Sequence, residues 1–245
     1  MSLEKAYSEI KKSIGNRLEF ESFKVVKSVD DHRNFWKPKN VKVMLLAESH
    51  VFTKDSEHDN IMRYDGFADL EECPTGYVKL VYCIGYGEKD MVKIPGNRGT
   101  PQFWKIFVSC LNQNVDLEGK KILLSQTQDF HQRIRNKISV LEQLKKKGIW
   151  LVDASIVALY NDTRKPDSEM MEKIIRISWR HYVSKVIQDA NPDKIIVIGK
   201  GVHKSLEREL KHTNIPIHVQ SQPQGIRTKA GITDAFEKYY KLCSN

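Results

Sequence analysis

The chain has 245 residues, 40% apolar and 29% charged, a globular balance that excludes collagen-like and disordered classes. Lysine and arginine exceed aspartate and glutamate to give a net charge of +9, which favours an anionic partner, nucleic acid first. No apolar run approaches the ~20 residues that span a bilayer, no signal-peptide pattern opens the chain, and Cys73, Cys83, Cys110 and Cys243 form no CxxC pair.

These features predict an intracellular protein off the membrane, one domain over 1–245, with no metal and no cofactor. Residues 2–14 read as a short amphipathic helix, with Leu3, Tyr7 and Ile10 at helical spacing. Val41–Leu46 is the first clear strand, apolar throughout as a buried parallel strand should be. Residues 50–100 lack helical periodicity and hold the glycine loop Gly96-Asn97-Arg98-Gly99; Tyr77–Tyr82 reads as a further strand. So long a stretch between elements points to function. Pro101 opens a helix with Thr100 as its N-cap. Residues 118–147 read as charged helix, and Ile149–Val152 as the second strand. Residues 167–190 are helical, with an apolar face from Ile174 to Ile187. Strand Ile195–Ile198, helix 202–211, strand Pro216–Val219 and a helix over 233–242 complete the chain. Alternating strands and helices predict an α/β fold, with helices on both faces of a mainly parallel four-stranded sheet.

Ligands bind such sheets beyond the carboxyl ends of the strands. The residues standing there are Glu48-Ser49-His50, Asp153-Ala154-Ser155, Gly199-Lys200-Gly201 and Ser221 to Arg227. Glu48 can orient water, stabilise a cation or bind a metal, or simply anchor a loop. His50 is a catalytic group or a loop histidine held by backbone. Asp153 and Ser155 can read a polar ligand edge or make Asx and Ser turns. Gly199-Lys200-Gly201 fails the GxGxxG fingerprint at Lys204, and no GxxxxGK[ST] exists. Ile226, between Gln224, Arg227 and Lys229, suits an apolar wedge flanked by phosphate-holding cations, or a plain surface loop. Asp55, Glu57, His58 and Asp59 match no metal template. A PD-(D/E)xK nuclease site fails because Glu209-Leu210-Lys211 sits on a predicted helix. The basic residues of 119–147, from Lys120 and Lys121 to Lys147, form a nucleic-acid patch or a solvated helix face.

Together these segments resemble the uracil-DNA glycosylase superfamily over roughly 38–242. VKVMLL followed by Ala47-Glu48-Ser49-His50 is similar to its first motif. Gly99 to Trp104 resembles the proline-started helix, WLVDAS the base-reading strand, IIVIGKGVHKSL the third strand and helix, and Ser221-Gln222-Pro223 the His-Pro-Ser motif. Ala47 stands in place of glycine, His50 in place of proline, Asp153 in place of asparagine and Gln222 in place of histidine. The resemblance implies a three-layer α/β/α sandwich that hydrolyses the N-glycosidic bond of a deaminated or damaged base flipped out of DNA. It implies Glu48, His50 and Gln222 as catalytic residues. It implies Ser49, Asp153, Ser155 and an aromatic among Tyr82, Tyr86 and Phe103 around the base. It implies Arg98, Lys200, Gln224, Ile226, Arg227 and Lys229 on the DNA. Two alternatives stand beside it: a non-catalytic nucleic-acid-binding module on this fold, and a nucleoside or nucleotide hydrolase.

Overall fold

The computed structural model describes residues 2–112, 129–160, 166–222, 226 and 228–244, with only the backbone of Lys229. Its centre is four parallel strands: β1 (Val43–Ala47), β2 (Ile149–Asp153), β3 (Lys194–Ile198) and β4 (Ile217–Gln220). Their order is β2-β1-β3-β4. Leu46 lies beside Val152 on one side and Val197 on the other. Every residue of β1 and β2 is buried, so both are continuous apolar runs, not alternating ones. β4, at one edge, is half-buried and carries His218 and Gln220.

Helix α1 (Leu3–Ile14) starts where the Ser2 hydroxyl accepts from Lys5 N, and it buries Tyr7, Ile10 and Ile14. Helix α2 (Phe23–Phe35) has no counterpart among the predicted elements. Its inward face includes the polar residues Ser28, His32 and Arg33, which hides its period from an apolar count. A single turn, α3 (Asp55–His58), is followed by α4 (Pro101–Leu111) and α5 (Phe130–Lys147). The first part of the helix expected over 118–147 lies outside the described residues. The helix expected over 167–190 is α6 (Ser168–Ser178) and α7 (Ser184–Ala190), joined by one π turn at Trp179–Val183. Helices α8 (Lys200–Lys211) and α9 (Lys229–Ser244) complete the described chain. Helix α4 packs on α5 and α9, while α1 and α8 both pack on α6. The sheet lies between these groups, as the sandwich reading expects.

The strand expected at Tyr77–Tyr82 does not form. That run turns tightly, with Leu80 N donating to Val78 O and Cys83 N to Leu80 O. Side chains take over the bonding a ladder would supply: Trp36 Nε1 donates to Tyr82 O, and Leu151 N to the Tyr82 hydroxyl. A run that is apolar and buried at every position but Lys79 has no period that separates these outcomes. Thr100 does stand at the N-cap of α4, but its side chain makes no cap bond.

Candidate functional site

The strand order reverses beside β1: the chain passes from β1 to β2 on one side, then to β3 on the other. The crevice between the carboxyl ends of β1 and β3 is therefore the topological switch point. A cavity of about 330 Å3 opens there, lined by Glu48 after β1, Gly199-Lys200-Gly201 after β3, and Ser221 and Gln222 after β4. Gly199 has φ +107, which a side chain rarely adopts. A β-carbon at Gly199 would stand 3.5 Å from Gln222 Nε2, and one at Gly201 3.9 Å from Glu48 Oε1. The carboxylate and the amide thus flank the first turn of α8 from two sides. The positive end of that helix favours a negative charge beside it. The Tyr160 hydroxyl donates to Glu48; burial and this carboxylate push the phenol up to about 12. Glu48 also heads a groove of about 700 Å3 between α1, α6 and α8, where Arg180 and Lys204 lie.

Two residues on, the chain faces a different space. Ser49, His50, Asp153, Thr100 and Phe103 line a slot of about 30 Å3, room for a water or two. His50 Nε2 is 2.9 Å from Glu21 Oε2, and His50 Nδ1 is 3.6 Å from Asp153 Oδ2. Asp153 accepts from Arg33 Nη2 at 2.9 Å, and Arg33 Nη1 donates to Asp30 at 3.0 Å. Carboxylate, imidazole, carboxylate, guanidinium and carboxylate alternate along one buried chain. Burial alone would depress His50, but Glu21 and Asp153 outweigh it and hold the imidazole up at about 9. Burial would likewise raise Asp153, yet His50 and Arg33 keep it below the usual carboxylate range. Glu21 has two further donors, Thr53 N at 2.8 Å and Ala158 N at 3.0 Å.

The predicted site residues therefore divide. Glu48, Gln222, Lys200 and Ile226 share the crevice. Ser49, His50, Asp153 and Phe103 share the slot. Tyr86 and Arg98 line a third cavity. Tyr82 is core, its hydroxyl taken by Leu151 N. Ser155 is buried and its hydroxyl donates to Val157 O at 2.6 Å, closing the turn after β2. Gln224 and Arg227 lie outside the described residues, and Lys229 begins α9. Asp55 accepts from Ser22, Glu57 pairs with Lys79 and Asp59 with Lys24. Glu21 and Arg33 were not among the candidates. Glu21 stands just before α2 and Arg33 in its last turn, neither within a recognisable motif, so nothing local in the sequence marks them.

No family model and no curated relative matches the chain. A solution NMR structure from Methanosarcina acetivorans, described as a "putative Uracil DNA glycosylase", is similar at 13% identity and a TM-score of 0.43. The match covers 86% of this chain and 95% of that one. Likeness of this degree does not establish a family. Among the described residues no helix is long and apolar enough to cross a membrane.

Proposed function

We propose that the chain is a glycosylase of uracil-DNA glycosylase type, which hydrolyses the N-glycosidic bond of a base rotated out of the nucleic-acid stack. One observation carries the reading: a carboxylate, Glu48, stands in the switch-point crevice against the positive end of α8, opposite the Gln222 amide. Cleavage of a glycosidic bond passes through a cationic, oxocarbenium-like sugar and releases a base with developing negative charge. Glu48 serves the first half, orienting water and stabilising the cation. Gln222 can donate to a developing anion but cannot carry a proton. His50, cationic at neutral pH between Glu21 and Asp153, stabilises the departing base from the slot side. Sugar in the crevice and base toward the slot places the scissile bond over Ser49. Entry of a base requires the slot to widen, and half-buried Phe103 at the start of α4 is the wall that moves.

The test is base release from single- and double-stranded oligonucleotides carrying uracil, hypoxanthine, xanthine or mismatched thymine, read by alkaline strand scission. Release that disappears in Glu48→Gln supports the reading. Release that survives this substitution sinks the assignment of Glu48. The narrowness of the slot favours a second reading, a nucleic-acid-binding module without turnover. That reading is supported by salt-sensitive binding with no release from any substrate.

A further inference from the structure

We propose that the cavity walled by the 86–100 loop, the start of α4 and the Arg133–Lys137 turn of α5 is a phosphate-binding site. Its volume, about 560 Å3, is in the range of nucleotide-sized ligands. Its described lining carries Lys89, Arg98, Arg133 and Lys137 against Glu88 and Asp90. Buried Glu88 is shared by two cations, Lys137 Nζ at 2.8 Å and Arg133 Nη2 at 3.1 Å. Asp90, which reaches Arg133 at 3.0 Å, stands exposed at the mouth. Lys89 and Arg98 are exposed and enter no ion pair among the described residues. Glu88 and Asp90 answer the two buried cations, and the exposed Lys89 and Arg98 leave the mouth of the cavity with an excess of positive charge that attracts an anion.

The loop holds this space open. Gly87 and Gly99, at φ +93 and +70, approach so closely that a β-carbon on Gly87 would stand 3.0 Å from Gly99 Cα. The Asn97 side chain clamps the same turn, accepting from the Tyr77 hydroxyl at 3.0 Å and from Gly87 N at 2.6 Å. Thr100 supplies a further donor. Among the described residues its hydroxyl is buried without a partner and does not cap α4, so the positive end of that helix faces the cavity. Thr100 lines both this cavity and the slot beside His50. A phosphate held here is either a backbone diester of a bound strand or the terminal monoester of a free nucleotide.

This inference does not require base release, so its test uses undamaged probes. Inorganic phosphate, a nucleoside 5′-monophosphate and a single-stranded oligonucleotide are titrated calorimetrically at several salt concentrations. The Lys89→Ala/Arg98→Ala variant, altered only at exposed positions, is expected to bind its best probe at least about tenfold more weakly. For the oligonucleotide, losing two phosphate contacts flattens the slope of log K against log salt by about 1.4. A loss confined to the monophosphate assigns a free nucleotide, and one confined to the oligonucleotide assigns the backbone. Glu88→Gln, shown folded by circular dichroism, is expected to bind the same probe several-fold tighter. Equal affinities and slopes in wild type and the double variant, or no binding of any probe, overturn the proposal.

Discussion

Glu48 and His50 leave the same strand two residues apart and face different spaces, and their chemistry differs accordingly. Glu48 is half-buried with a crevice before it. Replacing it by Gln keeps the shape and removes the charge. Base release should fall by at least about 10²-fold, the scale of a lost general base. Binding of an undamaged oligonucleotide should stay within twofold, and a parallel loss of binding would return Glu48 to a structural role. His50 has no solvent around it and depends on Glu21 for its proton. Glu21→Gln should move the His50 titration, followed by its ring-proton resonances, from about 9 down toward the usual ~6.5. Base release at pH 7.5 should fall with it while oligonucleotide affinity holds. An unmoved titration would show that Asp153 alone sustains the cation.

At the scale of elements, what the sequence revealed follows from what each element buries. Strands β1, β2 and β3 were legible because each is mainly a run of buried apolar residues, and the crevice followed from topology. Helix α2 was not legible, because it turns Ser28, His32 and Arg33 inward. The buried ion chain was invisible for a related reason. Its members come from the loop before α2, from α2 itself and from the ends of β1 and β2, joined only by folding. Arg33 fastens α2 to the end of β2, and Trp150 Nε1 donates to Arg33 O at 3.0 Å beside it. Arg33→Met leaves Asp153 with one cationic neighbour in place of two. Truncating one partner of a buried pair costs roughly 3–5 kcal/mol, whereas removing both charges is often nearly neutral. Urea denaturation should show that loss in Arg33→Met and recover at least half of it in Arg33→Met/Asp153→Asn. Additive losses in the double variant would mean that the two residues are not coupled.

Among the described residues three histidines are buried, His32 and His58 shifted one way and His50 the other, and the pH stability of the whole molecule should show both directions. His32 Nε2 lies 2.9 Å from Gly76 O, and burial drives its pKa down to about 4. The folded state therefore holds His32 neutral while the unfolded chain protonates it near ~6.5. Stability from this group is complete above about pH 6.5 and is lost as pH falls toward 4. His58, also lowered chiefly by burial, adds to the same limb. His50 runs the other way. Its folded pKa of about 9 lies above the unfolded value, so its contribution is complete below about pH 6.5 and is lost as pH rises through 9. Each displacement corresponds to about 3 kcal/mol at the end of its window. Both contributions are complete together only near pH 6.5, so unfolding free energy from urea titrations should peak there. His50→Gln should flatten the alkaline limb and spare the acid one, and His32→Asn should do the reverse. An alkaline limb of equal slope in wild type and His50→Gln would mean that His50 is neutral in the folded protein. The cation that the proposed mechanism sets against the departing base would then be absent, so a stability measurement made without any substrate tests that step.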